Sequence, residues 1–298
     1  MTTKSQPADI ALLVVSCDAY RDLWPVFFTC LFKYWHDCPF RIYLGSNTVG
    51  YPDDRVSSIL VGPDQDYTSN LIAMLDQLHQ QWLILWVEDR VLAKPVDTSR
   101  ISHLTDVAQS RGAAYLRLIA VPPFAPSEHR ATGIGELPKG TPYRVSITVA
   151  LWNRRALRSL LSPGESAWQL EHCGTLRADR LDAPFLACSR ASARTPPIQD
   201  THLIIKGKLL RDARSFLLKE ALIHHLAHRK LQSLSSHLYT KAVIAYWNLT
   251  GVPRSRHRPR RTSTTAVNGS RSPYSYGAQL MPCGTSPRST ATPTENGA

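Results

Sequence analysis

Two short apolar runs constrain the fold of this chain more than any other feature of its sequence. Ile10–Val15 reads IALLVV and Trp82–Val87 reads WLILWV, so both consist only of aliphatic residues and tryptophan. Such runs, bounded by polar turns, are typical of strands buried on both faces of a sheet. They are far shorter than the roughly 20 residues that a membrane-spanning helix needs. The chain is therefore expected to form an α/β domain rather than an integral membrane protein.

Amphipathic helical segments alternate with strand candidates along the first 120 residues. Apolar residues recur every three or four positions in three segments, at residues 23–34, 71–78 and 101–108. Further strands are expected at residues 40–44 and 115–119. This β-α-β-α-β-α-β order predicts a Rossmann-like, mostly parallel sheet flanked by helices.

The pattern is less regular in the rest of the chain. Residues 45–66 and 121–142 are rich in turn-forming residues and are predicted to be loops, and a loop as long as the second is more often functional than not. A strand is expected at residues 145–151, a short strand at residues 203–205, and helices from residue 211 onward.

The net charge of +12 is concentrated near the C-terminus. Residues 1–205 hold 20 basic and 20 acidic side chains, whereas residues 206–241 hold eight basic and two acidic ones. Residues 251–298 hold seven arginines and one glutamate among many Pro, Ser and Thr residues, which predicts a disordered tail. The predicted organisation is a flexible N-terminus (1–9), one domain (10–205), a basic amphipathic helical segment (206–250) and the tail (251–298).

This basic charge leaves a non-enzymatic alternative open, a protein that binds nucleic acid or a membrane surface. The neutral body argues against a specific nucleic-acid partner. Segment 206–241 could lie on an anionic membrane or pack as a core helix with a solvated basic side. Six apolar residues of this segment are placed among its lysines and arginines: Phe216, Leu217, Ile223, Leu226, Leu231 and Leu234. The cysteines include no C-x-x-C pair, which favours the cytoplasm, with the inner face of the membrane as a peripheral site.

Two acidic residues, Glu88 and Asp89, follow the WLILWV strand directly. Ligands of open α/β sheets bind at the carboxyl ends of the strands, and paired carboxylates there could hold a divalent cation against a diphosphate. The alternative is a solvated strand end with Arg90 as the local partner of the acids.

Other polar residues offer weaker candidates. Ser16 and Asp18 follow the first strand, where Asp18 could bind a nucleobase or ribose or simply cap a helix. Glu165 and Glu171 follow a Pro-Gly turn, where either could act as a general base or stabilise the first turn of a helix. The chain contains no G-x-S-x-G, P-loop or G-x-G-x-x-G motif, which argues against serine hydrolases, P-loop kinases and dinucleotide dehydrogenases.

Several of these segments together resemble a bacterial glycosyltransferase-like family from polysaccharide gene clusters. The resemblance extends over roughly residues 10–215 and rests on VVSCDAY (14–20), DLW (22–24), KYWHDCP (33–39), LWVEDRVL (85–92), YRVS (143–146), LW (151–152), PGESAW (163–168) and KGK (206–208). In two places the chain departs from the family pattern: Glu88 replaces the first Asp of the usual acidic pair, and Arg90 replaces an aromatic or aliphatic residue.

The resemblance implies a GT-A fold and the transfer of a sugar from a nucleotide-diphosphate donor to a saccharide or lipid-linked acceptor. It implies that Ser16 and Asp18 lie near the nucleotide, and that Arg90 and Arg144 contact the donor. Glu88 and Asp89 would bind Mg²⁺ or Mn²⁺, and Glu165 or Glu171 would be the base.

Overall fold

The computed structural model describes residues 9–126, 129 and 131–250 of the chain. The strands are β1 (Ile10–Val15), β2 (Arg41–Ser46), β3 (Val56–Leu60), β4 (Trp82–Val87), β5 (Arg90–Leu92), β6 (Tyr115–Arg117), β7 (Ile134–Glu136), β8 (Ala150–Asn153), β9 (Phe185–Cys188), β10 (Asp200–His202), β11 (Ile204–Ile205) and β12 (Lys208–Leu209). Eight of them form one sheet in the order β3-β2-β1-β4-β8-β6-β9-β7, in which β7 and β8 run antiparallel to the other six. β10 pairs with β5, and β11 pairs with β12.

Helices cover both faces of this sheet. They are α1 (Trp24–Tyr34), α2 (Tyr67–Asp76), α3 (Thr98–Ser110), α4 (Arg154–Leu160), α5 (Ala167–Ala178), α6 (Arg211–Lys219), α7 (Ile223–Leu226) and α8 (Leu234–Thr250). Successive side chains of a strand point to opposite faces. Accordingly, alternate residues of β1 join two separate cores, one with α1, α3, α6 and α7 and the other with α2, α4 and α5. β1 and β4 are apolar throughout because both of their faces are buried.

The predicted α/β class is confirmed, as are the mostly parallel sheet flanked by helices and the additional C-terminal helices. β3 lies in a segment predicted to be a loop, because it is an edge strand whose serines hide any apolar alternation. β7 lies inside the predicted loop at residues 121–142 and pairs with β9. β9 is only four residues long, too short to show a period. The predicted tail at 251–298 and residues 1–8 of the N-terminus lie outside the described residues.

The basic segment at residues 206–241 is not one continuous helix, and most of its apolar side chains pack in the core, as in the second of the two alternatives. It is divided among β12, α6, α7 and the start of α8. Leu217 and Leu226 are fully buried, and Phe216 and Ile223 pack against the same core. The apolar side chains that would enter a membrane are thus mostly used to pack against the sheet, and the predicted boundary after residue 205 does not separate two cores.

Ion pairs also fix this segment to the body. Arg229 donates to both carboxylate oxygens of Asp22, at 2.5 and 2.6 Å. Glu220 accepts hydrogen bonds from Lys33 (2.5 Å) and from the Tyr34 hydroxyl (2.8 Å). No helix in the described part of the chain has the length and apolarity needed to cross a membrane.

A single core substitution tests whether the C-terminal segment belongs to the domain. Leu217 is fully buried, so Leu217→Ala should lower the free energy of unfolding by about 2–5 kcal/mol, in one cooperative transition. Its neighbour Leu218 is 48% exposed, so Leu218→Ala should change that energy by no more than about 0.5 kcal/mol. Urea denaturation followed by tryptophan fluorescence and circular dichroism measures both. A separate early transition of the C-terminal helices, with the body unchanged, would contradict a shared core.

Candidate active site

The strand order reverses beside β1, and this places a crevice at the carboxyl ends of β1 and β4. β2 and β3 lie on one side of β1, and β4 lies on the other. Such switch points are where open α/β sheets bind ligands. Ser16 follows β1 and Glu88 follows β4, and the Ser16 hydroxyl lies close enough to Glu88 to lower the pKa of its carboxyl. The Trp24 indole donates to the Ser16 hydroxyl at 2.7 Å, which holds this side chain in place.

Glu88 is a buried carboxyl group, with 3% of its surface exposed. Burial, and then the charge of Asp89, raise the pKa of Glu88 well above its usual value, despite opposing effects that include the charge of Arg229. Glu88 therefore holds a proton more readily than a surface glutamate and is poorly accessible to a cation. The structure gives the two members of the predicted metal pair different environments, because the side chain of Asp89 is 27% exposed.

Asp89 has a histidine partner from a distant part of the chain. The Nε2 atom of His202 lies 3.1 Å from Oδ2 of Asp89. The ladder between β5 and β10 positions this pair, and the Leu203 amide donates to the Asp89 carbonyl at 2.7 Å. In the sequence His202 belongs to no motif, so only the strand pairing identifies it as a partner of Asp89.

Arg90 follows Asp89 in the chain, and its charge acts on Glu171. Arg90 donates through Nε to Asp200 at 2.5 Å. Glu171 lies on α5, where its Oε1 atom accepts hydrogen bonds from the Ser146 hydroxyl (2.8 Å) and the Ile147 amide (3.0 Å). Burial raises the pKa of Glu171 above its usual value, although these two hydrogen bonds and the charges of Arg117 and Arg90 lower it in part.

The hydrogen bonds of Glu171 leave one oxygen available. Its Oε2 atom accepts no hydrogen bond from residues 9–126, 129 or 131–250. A carboxylate with a raised pKa, held through one oxygen, suits the removal of a proton from a hydroxyl group.

Asp18 joins the loops that follow β1 and β2. Its carboxylate accepts hydrogen bonds from the amides of Asn47, Thr48 and Val49 and from the Thr48 hydroxyl, at 2.5 to 3.3 Å. Burial alone would raise the pKa of Asp18, but these bonds lower it overall. The structure thus gives Asp18 a loop-ordering role, and its contact with a nucleotide stays a prediction.

Two other predicted site residues have structural partners. Both carboxylate oxygens of Glu165 accept hydrogen bonds from Arg177, at 2.8 and 2.6 Å, so this carboxylate is not available as a base. Arg144 is 1% exposed and donates to the carbonyls of Leu137 (3.0 Å) and Ala178 (2.8 Å). Its guanidinium is thus enclosed by protein and cannot contact a nucleotide-sugar.

Arg117 is a buried residue that sequence analysis missed. It is fully buried and donates to the carbonyls of Val121, Pro123 and Tyr143 at 2.9 to 3.1 Å. It therefore orders both ends of the irregular segment that precedes Ser146. An arginine within an otherwise apolar strand was the one signal available for it.

The resemblance implies a divalent cation, and Asp89 is the accessible carboxylate that could bind it. Across residues 9–126, 129 and 131–250, no three His, Cys, Asp or Glu side chains come together as a self-sufficient metal site. Asp89 supplies one accessible carboxylate, which His202 holds in place. Magnesium is commonly held by one or two protein carboxylates plus substrate phosphates, so Asp89 fits a cation that is shared with a diphosphate.

Comparison with known proteins gives only distant likenesses. No protein-family model matches the chain, and no curated protein matches it. Among solved structures, the mannosyltransferase PcManGT from Pyrobaculum calidifontis, in complex with GDP-Man and Mn²⁺, has 10% identity and a TM-score of 0.46 over 85% of this chain and 74% of that chain.

Two further solved structures show similarly low values. Residues 1–349 of S. aureus TarS with UDP-GlcNAc have 9% identity and a TM-score of 0.39 over 80% of this chain and 71% of that one. A mutant Drosophila β-1,4-galactosyltransferase 7, with manganese, UDP-Gal and xylobiose, has 11% identity and a TM-score of 0.34 over 85% and 81%. These likenesses are too distant to transfer a function or mechanism to this chain.

Proposed function

We propose that this chain is a glycosyltransferase that moves a sugar from a nucleotide-diphosphate donor to a hydroxyl acceptor. One observation carries the proposal: at the switch point an accessible Asp89–His202 pair adjoins the Arg90 guanidinium, whose charge also acts on a buried base candidate, Glu171. Sugar transfer to a hydroxyl requires positive charge that stabilises the departing diphosphate and a base that removes the hydroxyl proton. Arg90 and a cation at Asp89 would supply the charge, and Glu171 the base. The sequence resemblance agrees with this assignment.

The donor would lie along the carboxyl ends of β1, β2 and β4. Ser16 and the loops joined by Asp18 form the wall on the nucleotide side, and the diphosphate would lie toward Asp89, His202 and Arg90. A divalent cation bound there would neutralise charge on the diphosphate. Arg90 adds a fixed positive charge that favours the departing anion.

Glu171 would act on the acceptor. Its Oε2 atom takes the proton of the acceptor hydroxyl, whose oxygen forms a bond to the anomeric carbon of the sugar. The bond from that carbon to the diphosphate breaks, and its electrons leave with the nucleotide. Ser146 and the Ile147 amide hold Oε1 during this transfer and so fix the direction of Oε2.

The finer assignment follows the sequence resemblance. The acceptor is a saccharide or a lipid-linked saccharide of polysaccharide or glycolipid biosynthesis in a bacterium, with the enzyme in the cytoplasm or at the inner face of the membrane. The exposed apolar residues of the described C-terminal region, which include Leu234, Leu238 and Leu249 on α8, are the remaining surface for membrane contact.

Calorimetric titration tests the proposal directly. The full chain is titrated with UDP-, GDP- and dTDP-sugars, with and without Mn²⁺, and at least one is expected to bind. In the presence of saccharide acceptors, the labelled sugar of that donor should be transferred to an acceptor. Failure of every nucleotide-sugar to bind under both conditions would refute the proposed function.

A further inference from the structure

A cavity of about 280 Å³ lies between β10 and α8, next to the candidate active site. Its lining includes Asp200, His202, Asp212, Gln232, Thr240 and Ile244. Asp200 and His202 belong to both places, since they also hold Arg90 and Asp89. A ligand in this cavity would therefore share one wall with the crevice at the carboxyl end of β4.

Gln232 orders part of the cavity lining. Its side chain is 1% exposed, and its Nε2 atom donates to the hydroxyls of Ser236 (3.2 Å) and Thr240 (3.1 Å). Its Oε1 atom is buried and accepts no hydrogen bond from the described residues. Exchange of the amide O and N positions would still leave one buried polar atom unpaired. Since solvent does not reach this atom, Gln232 contributes to the cavity through its bond to Thr240, which lines it.

The outer edge of β10 offers further hydrogen-bonding groups. The Leu203 amide donates to Asp89, and the Ala93 amide donates to Gln199, which identifies these as hydrogen-bonded pairs of the antiparallel ladder. Such pairs alternate with pairs whose peptide groups point away from the partner strand. The N–H and C=O groups of Asp200 and His202 therefore lie on the open edge of β10, which lines the cavity.

We infer that this cavity binds the acceptor as a single hexose-sized, polyhydroxylated residue. The inference rests on the proposed function and deepens it by placing the acceptor. Hydroxyl groups both donate and accept, so they match the mixed set of carboxylates, a threonine hydroxyl and a strand edge. Ile244, Ile205 and Leu210 supply apolar surface for the carbon face of a sugar ring. The same chemistry could come from a free saccharide or from the head of a lipid-linked one.

A cavity-filling substitution tests this inference. Ile244 is 46% exposed on α8, so Ile244→Trp should fill the cavity without unfolding the domain. Leu238→Trp, at a residue of α8 that is 59% exposed and does not line the cavity, is the matched control. Saturation-transfer NMR of the full chain uses methyl β-D-glucopyranoside and methyl β-D-galactopyranoside as free saccharides. Octyl β-D-glucopyranoside below its micellar concentration represents a lipid-linked one.

At least one methyl glycoside should bind the wild-type chain and Leu238→Trp, and its affinity for Ile244→Trp should be about tenfold lower or worse. If the octyl glycoside binds more tightly than the methyl glycosides, and Ile244→Trp abolishes this binding, the acceptor is a lipid-linked saccharide. If the octyl and methyl glycosides bind equally, the acceptor is a free saccharide. Absence of glycoside binding to the wild-type chain, or equal binding to Ile244→Trp, would overturn the inference. Nucleotide-sugar titration of the same proteins separates the two proposals. If the chain binds a glycoside but no nucleotide-sugar, and Ile244→Trp abolishes the glycoside binding, then the cavity is a saccharide site and the proposed transferase function is refuted.

Discussion

Replacing Glu171 with glutamine should lower the turnover number by about 10²- to 10⁴-fold, the usual contribution of a general base. Glutamine keeps an oxygen that can accept from Ser146 and Ile147, but it cannot take a proton. Donor affinity should therefore stay near the wild-type value. Sugar transfer is measured with a radiolabelled nucleotide-sugar, and donor affinity by calorimetry.

The pH dependence gives a second readout for Glu171. A base acts in its deprotonated form, and burial raises the pKa of this carboxyl, so wild-type turnover should fall as the pH drops through that raised value. The Glu171→Gln variant should lose this acidic limb. A carboxyl whose folded pKa is raised adds stability below its unfolded pKa and loses it as the pH rises. Glu171→Gln should therefore be at least as stable as the wild-type chain at pH 7.

Glu136→Gln is the matched control, because Glu136 is an exposed glutamate on β7. It should retain wild-type turnover and the wild-type pH profile. Unchanged turnover in Glu171→Gln, with the acidic limb intact, would remove Glu171 from the mechanism.

Replacing Asp89 with asparagine should weaken sugar transfer by about 10²- to 10³-fold, as the loss of one preorganised charged group in an active site commonly does. Asparagine keeps the size of the side chain and can still bond to His202. It removes the accessible negative charge that would hold a cation. The effect of Mn²⁺ on nucleotide-sugar affinity, measured by calorimetry, should therefore disappear in this variant.

Asp182→Asn controls for the loss of one negative charge, since Asp182 is fully exposed and pairs only at the surface with Lys139. Its response to Mn²⁺ should match the wild type. Wild-type affinity and a wild-type Mn²⁺ response in Asp89→Asn would show that the cation site lies elsewhere.

The sequence predicts the centre of this fold well and its edges poorly. β1 and β4 have the predicted bounds, because strands buried on both faces leave an uninterrupted apolar run. β3 was missed because an edge strand needs only one buried face, and β9 because four residues carry no period. For a strand, local pattern is thus most informative where burial is complete.

The candidate site shows the same division. Glu88 and Asp89 could be found because they follow a recognisable strand. Their different burial could not, since it depends on which side chain the neighbouring elements cover. His202 lies 113 residues from Asp89 in the chain, so its role depends on strand pairing that no local pattern records. Arg144 was predicted to contact the donor because the sequence alone does not distinguish an arginine that binds phosphate from one that is buried against backbone carbonyls.

The shared core has a consequence for how the chain folds during synthesis. The pair between Asp22 and Arg229 spans 207 positions, and α6 and α7 cover the same face of the sheet as α1. While the ribosome is still making the last of these helices, the core that they share with α1 and β1 is incomplete. The N-terminal half therefore cannot complete folding as an independent unit, and contacts of such long range slow folding and prolong exposure to aggregation. We expect the nascent chain to depend on chaperones until about residue 230 has emerged from the ribosome, the point at which Arg229 can reach Asp22.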